Sequence, residues 1–322
     1  MTTDGMIGDQ SIVLSLPCSR DPDAEVLVSQ IRAVDQPALS ERGVAGARAY
    51  LEERAAAGPP GPEVGWVRDE VVALGAGSVP VRVYGPTVGS SGPVVVYFHG
   101  GGWVVGSVAA SDAFCRRLCR AADCLVVSVD YPLAPENPFP AAVESATAAV
   151  EWTAGRAAGW GADPQRLVVL GDSAGGNIGT VAVRRLIAAG GPGVCRQILA
   201  YPGTSPDRVT SGGHFGDEWP LTDSDRTWFK AQYVTEDMRA DPDVAPLLAD
   251  LRGLPPTTIL LGGCDPIAPE GLAYANRLWD AGVSVDLHLF SGQVHGFLTF
   301  DESILPRSRE ALGLIANAIR NS

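Results

Sequence analysis

The 322-residue chain has no basic run, no long apolar run and no paired-cysteine motif. Each absence closes a class of function. Lys and Arg never cluster, and 24 basic residues stand against 37 acidic ones for a formal charge of −13. Such a chain repels a phosphate backbone, so nucleic acid is not an expected partner. No segment reaches the ~18 uninterrupted apolar residues of a membrane span, so no stable membrane insertion is expected. The N-terminal stretch MTTDGMIGDQSIVLSLPCSRD carries an early Asp4 and no basic opening. It does not resemble a secretory signal, and a cytoplasmic location is expected. The six cysteines, at 18, 115, 119, 124, 195 and 264, form no C-x-x-C pair and show no zinc-type His spacing. They read as small buried hydrophobes in a reducing compartment, with Cys115 and Cys119 one turn apart on a helix face, and no metal is expected. Internal repeats and low-complexity tracts are also missing.

What the chain does have is alternation. Apolar residues make up 46% and charged residues 19%, the balance of a soluble globular protein large enough for a substantial core. From residue 93 onward, short β-branched runs (PVVVYF, CLVVSVD, RLVVLG, QILAY, TTILLG, SVDLHLF) are separated by Ala-rich stretches of helical period. That pattern predicts an α/β fold, a parallel sheet covered by helices. Crossover helices are expected over 111–122, 141–154, 174–189 and 270–281, with Gly155, Gly190 and Gly282 as stops. The first 60 residues predict two helices, 23–34 and 40–57, the second capped by Ser40 and stopped by Gly58, Pro59 and Pro60. Strands then begin near Gly65. Between about Gly203 and Asp243 a Gly-, Asp- and aromatic-rich insertion exceeds the usual 2 to 6 residues of a βα loop, which suggests a functional lid.

Gly171-Asp172-Ser173-Ala174-Gly175 follows one apolar run and precedes an Ala-rich stretch. G-x-S-x-G in that context describes a strained strand-to-helix turn that exposes a serine hydroxyl. The template alone is weak, since chance supplies roughly 0.3 copies in a chain of this composition. A second glycine feature raises its weight. In FHGGGWVVGS (98–107) a His and three glycines follow the run PVVVYF, upstream of the serine. Backbone N–H groups unobstructed by Cβ atoms can converge on the O⁻ of a tetrahedral intermediate. Phosphate-binding uses of the glycines do not fit: a P-loop needs Gly-Lys-Ser/Thr where Trp103 stands, and a dinucleotide fingerprint must open straight into a helix.

A serine nucleophile needs a base and an acid that orients it. Four histidines are available. His99 belongs to the glycine loop, His288 lies on the polar face of the run SVDLHLF, and His214 sits in the insertion. His295, in the loop SGQVHGF after the final run, is the candidate base. The acid should fall between serine and base at the end of a strand. Asp265, in TTILLGGCDP, meets these conditions, and Asp207, after QILAYPG, is the alternative. Asp172, beside the nucleophile, reads as a structural or electrostatic group.

Five ordered motifs, HGGGW (99–103), VDYPLAPE (129–136), GDSAGGN (171–177), CDPIAPEG (264–271) and HGF (295–297), together resemble the hormone-sensitive-lipase-like esterases, bacterial family IV of the α/β-hydrolase fold. The resemblance covers about residues 65–320. It implies a mostly parallel eight-stranded sheet with flanking helices and a helical cap, made of residues 1–64 and an insertion at about 204–242 in a catalytic domain of 65–322. It further implies Ser173 as nucleophile, Asp265 as acid, His295 as base, and the N–H groups of Gly101, Gly102 and Ala174 as oxyanion donors. Gly100 would shape the turn. The implied activity is cofactor-free hydrolysis of small ester substrates with short- to medium-chain acyl groups, by a monomer or homodimer. Trp103, Trp219, Leu221, Trp228 and Phe229 are pocket candidates, or equally the packing of the lid. Pro132 and the stretch Ile267-Ala268-Pro269 depart from the family's usual Arg and Arg-Asp, which touches ion pairing behind the site and not the triad. An amidase or a deacetylase of aryl or antibiotic esters would use the same residues. A ligand-binding receptor of the same fold, like the plant gibberellin receptor, would lack the base.

Overall fold

The computed structural model of the chain describes residues 19–34, 37–75, 77–87, 92–206 and 220–322. Cys18, Asp207, His214 and Trp219, each singled out in the sequence, lie outside the described residues.

The β-branched runs form a single eight-stranded sheet. Its strands are β1 (Trp66–Ala73), β2 (Ser78–Gly85), β3 (Val94–Phe98), β4 (Leu125–Val129), β5 (Leu167–Asp172), β6 (Arg196–Ala200), β7 (Thr257–Gly262) and β8 (Val285–Phe290), in the order β1-β2-β4-β3-β5-β6-β7-β8. β1 and β2 pair antiparallel, as do β2 and β4, while every other neighbour is parallel. Every residue of β3, β4, β5 and β7 is buried. This explains their unbroken Val, Leu and Ile content: helices cover both faces, so alternation has no solvent side to serve.

The helices divide between the two faces. α4 (Ala141–Arg156), α5 (Ala174–Ala189) and α7 (Ala268–Asp280) pack on the face carrying Val94, Val96 and Phe98. α1 (Pro22–Ala33), α3 (Asp112–Ala122) and α8 (Arg307–Arg320) pack on the face carrying Val95 and Tyr97. Over the first of these layers, α2 (Gly43–Ala57) and α6 (Asp223–Tyr233) add Ala47, Phe229 and Tyr233 to the core. Arg48 of α2 fastens this upper layer to the body: its guanidinium donates to the carbonyls of Val104 and Ala134 and pairs with Glu136 at 2.7 Å. Glu136 of the VDYPLAPE motif is thus paired from another helix, where the motif itself has Pro132.

Several boundaries differ from the sequence expectation for identifiable reasons. Ser40 caps nothing; it sits inside a 3₁₀ turn, Leu39–Arg42, that precedes α2. Gly155 lies within α4, whereas Gly190 takes the left-handed conformation that closes α5 (φ 66°). Pro269 is the second residue of α7, where a missing N–H breaks no intrahelical bond. Cys115, Cys119 and Cys124 are buried free thiols, but Cys264 is disulfide-bonded and so departs from the reduced-thiol reading. No helix among the described residues is long and apolar enough to cross a membrane.

Candidate active site

The chain places its chemistry where parallel strands end, at the carboxyl edge of the sheet. β5 runs to Asp172 and α5 starts at Ala174, leaving Ser173 alone to make the turn, with φ 53° and ψ −119°. That strained backbone holds because the residues around it permit no alternative. A Cβ on Gly175 would lie 2.0 Å from the carbonyl oxygen of Phe98, and one on Gly171 would lie 2.2 Å from the carbonyl oxygen of Gly175. The two glycines of G-x-S-x-G therefore let α5 rise directly against β3 and β5.

His295 comes from the loop after β8 and Asp265 from the loop after β7. The Ser173 hydroxyl lies 2.9 Å from His295 Nε2, and His295 Nδ1 lies 2.7 Å from Asp265 Oδ2. In the tautomer suited to this line, the hydroxyl donates to Nε2 and Nδ1–H donates to the carboxylate. Asp265 Oδ1 accepts from the Ile267 N–H at 2.9 Å, which fixes the carboxylate plane. The edge of the Tyr201 ring packs on the imidazole, centroids 4.9 Å apart. Asp265 is 2% exposed and His295 9%, so the line is dry except at its Ser173 end.

On the other side of Ser173 stands the glycine loop. Gly101 (φ 124°) and Gly102 (φ 55°) occupy backbone conformations that side chains resist. A Cβ on Gly101 would strike the Val105 carbonyl, and one on Gly102 the Phe229 ring. The Gly100 N–H is already committed, donating to Asp172 Oδ1 at 2.8 Å. Gly101, Gly102 and Ala174 line the same cavity as Ser173. Asp172 was legible only as a local group; the structure gives it a definite bonding role. Its Oδ1 also accepts from the Tyr97 hydroxyl at 2.7 Å, so one carboxylate ties the nucleophile turn to the root of the glycine loop. Burial pushes the Asp172 carboxyl above the usual carboxylate range, against the lowering influence of the Tyr97 hydroxyl, His99 and the Gly100 N–H. His99 is buried too, and desolvation pushes its imidazole below the ordinary value. It stacks on Tyr131 with centroids 4.4 Å apart, and its Nδ1 is held 2.7 Å from the Gly100 carbonyl, which makes it part of the loop and not a base for Ser173.

A cavity of about 410 Å³ opens on Ser173. Trp103, Leu221 and Phe229 all line it, whereas Trp228 packs on Phe229 with centroids 5.0 Å apart and is not part of the lining. Trp103 stacks flat on Tyr233 at 4.5 Å. Sequence reasoning missed Arg226, Lys230 and Glu270, which share the cavity wall. Arg226 and Lys230 fell in the insertion, where no helix was expected, and Glu270 stood in CDPIAPEG without a role that marked it as inward-facing. His288 lies on the edge strand β8, away from this cavity. Among the described residues no group of three or more His, Cys, Asp or Glu is arranged to hold a metal ion.

A family model described as alpha/beta hydrolase fold matches residues 95–299. The carboxylic ester hydrolase LipN of Mycobacterium tuberculosis is 42% identical over 290 residues, spanning 86% of this chain and 77% of that protein. An ethyl acetate hydrolase of Pseudomonas putida is 36% identical over 250 residues, 76% of this chain and 78% of the relative. Among solved structures, EstE1, a thermostable carboxylesterase cloned from a metagenomic library, is 39% identical with a TM-score of 0.82, covering 87% of this chain and 97% of that one.

Proposed function

The chain belongs to the α/β-hydrolase family and is a carboxylic ester hydrolase, and from that premise we propose that Ser173, His295 and Asp265 carry the reaction through an acyl-enzyme. The observation that carries this reading is His295, 2.9 Å from the Ser173 hydroxyl on one ring nitrogen and 2.7 Å from the Asp265 carboxylate on the other. Ser173 Oγ bonds to the ester carbonyl carbon as its proton passes to His295 Nε2. The carbonyl electron pair moves onto oxygen, and the N–H groups of Gly101, Gly102 and Ala174 stabilise that charge. Collapse of the intermediate breaks the ester C–O bond, and His295 returns the proton to the departing alcohol. A water molecule, deprotonated by His295, then attacks the acyl-enzyme and releases the carboxylic acid and free Ser173.

Asp265 holds the Nδ1–H tautomer and stabilises the imidazolium that forms at each proton transfer. The preferred acyl groups in this reading are short to medium, to be taken by the cavity of about 410 Å³ that Trp103, Leu221 and Phe229 help to line. In the same reading the described N-terminal helices and α6 act as the cap of a catalytic domain that begins near residue 65. Retention of His295 separates this chain from a binding-only member of the fold.

Hydrolysis of p-nitrophenyl esters of rising acyl length by the wild type and Ser173→Ala tests the assignment. Loss of at least about 10⁴-fold in kcat is expected in the variant, with acetate to hexanoate preferred by the wild type. Equal rates in the two proteins would refute it.

A further inference from the structure

One wall of the cavity carries charge for which the acyl-transfer chemistry has no use. Arg226 and Lys230 are four residues apart on α6 and so share a helix face. Both line the cavity together with Ser205, Ile267 and Glu270. The Arg226 side chain is only 13% exposed; its guanidinium lies 3.4 Å from Asp223 Oδ1 and 4.0 Å from Glu270 Oε1. Lys230 Nζ donates to the Pro206 carbonyl. Glu270 is 4% exposed, and its Oε2 accepts from the Ser205 N–H at 3.1 Å. Desolvation pushes the Glu270 carboxyl up to about 8, against the lowering influence of Arg226 and the Ser205 N–H.

Withdrawing a guanidinium from water is unfavourable unless an anion meets it with good geometry, and 3.4 Å is a loose ion pair. Leu51, Phe114, Phe300 and Ile304 also line the cavity, and Arg117, in the same lining, commits its guanidinium to the carbonyls of Thr299 and Phe300 and to Asp301. Arg226 and Lys230 place two cationic side chains in the lining of the cavity, where an anionic arm of a substrate could meet them. Arginine also provides the planar fork that matches a carboxylate.

Building on the esterase reading, we propose that the wall formed by Arg226, Lys230, Ser205 and Glu270 is a recognition subsite for a carboxylate carried on one arm of the ester. The substrate class is then the half-esters of dicarboxylic acids, if the acyl arm enters this wall, or the esters of hydroxycarboxylic acids, if the alcohol arm does. Arg226 pairs with the carboxylate, Lys230 and Glu270 lie in the same part of the lining, and the apolar residues of the cavity take the other arm.

The test compares kcat/KM within matched pairs followed by titration of released acid: monoethyl glutarate against ethyl hexanoate for the acyl arm, and 4-acetoxybutanoate against pentyl acetate for the alcohol arm. In the wild type, one pair should favour its carboxylate member by about tenfold or more, and that ratio should fall by about tenfold in Arg226→Met and less in Arg226→Lys. Each ratio is taken within one protein, so loss of folded enzyme cancels. Ratios at or below one for both pairs in the wild type, or a ratio unchanged by Arg226→Met, would overturn the subsite. Failure of the esterase reading is separable, because it would appear as hydrolysis of the neutral esters that persists in Ser173→Ala.

Discussion

Two buried aspartates flank Ser173, and the regions they organise are opposites. On one side Asp265 grips the side chain that, in the proposed mechanism, moves protons: His295 lies between the carboxylate and the Ser173 hydroxyl at 2.7 and 2.9 Å. On the other side Asp172 grips groups that move nothing, accepting from the Gly100 N–H at 2.8 Å and the Tyr97 hydroxyl at 2.7 Å. In the proposed mechanism the first region changes charge during turnover, and the second must keep its shape while charge appears in front of it. The same residue type, equally buried, thus serves chemistry in one place and preorganisation in the other.

The comparison breaks most visibly at Asp265. Asp265→Asn preserves the volume but places an amide opposite Nδ1, which favours the tautomer that cannot accept from Ser173. A fall of about 10⁴ in kcat is expected, read from steady-state hydrolysis of a p-nitrophenyl ester. A loss below about tenfold would show that another group orients His295.

Asp172 should give a smaller and different response. Asp172→Ala leaves the Gly100 N–H and the Tyr97 hydroxyl without their acceptor and loosens the glycine loop, with an expected loss of about 10²- to 10³-fold, the worth of one oxyanion donor. The loss should fall on kcat with KM within about threefold, and Asp172→Asn should recover most of it, since its amide oxygen can accept from both donors. If the loss fell on KM instead, the loop would be shaping substrate binding and not the transition state.

Glu270 sharpens the contrast as a third buried carboxyl that organises neither region. In the unfolded chain it would release its proton near 4.5, whereas in the fold it holds the proton to about 8. Between those values the folded state binds the extra proton, so this group makes stability fall as pH rises from about 4.5 to about 8. Glu270→Gln keeps an acceptor for the Ser205 N–H and removes the titration. Its Tm relative to wild type should therefore climb by a few degrees between pH 5 and pH 8. Parallel Tm profiles for the two proteins would place the Glu270 carboxyl in the ordinary range.

How far the sequence reached follows the same divide. The Ser173, Asp265 and His295 side was legible because chain order constrains it: only His288 and His295 follow both the serine and Asp265, His288 falls inside the run SVDLHLF, and the sheet brings the remaining loops together. β-branched runs marked the strands for the same reason, since two covered faces demand them. The alternative acid, Asp207, lies outside the described residues. The preorganising side was opaque, because Asp172, Tyr97 and Gly100 are brought into contact by parallel pairing of β3 with β5, a register no local pattern records. Antiparallel entry of β2 beside β4 was equally invisible, as was the inward turn of Arg226 and Lys230, whose four-residue spacing would suit a solvated helix face. Cys264 shows the limit of composition: scattered cysteines suggested free thiols throughout, yet this one is disulfide-bonded.

The central claim is that Ser173 is the atom donor of a covalent acyl-enzyme. A p-nitrophenyl alkylphosphonate, which mimics the tetrahedral intermediate and stays bonded to the attacking oxygen, tests it directly when labelled protein is digested and weighed by mass spectrometry. One phosphonyl group per chain is expected on the peptide containing Gly171-Asp172-Ser173, with p-nitrophenol released in a one-to-one burst and neither event seen in Ser173→Ala. Labelling at another residue, or undiminished ester hydrolysis by a fully phosphonylated enzyme, would contradict the account.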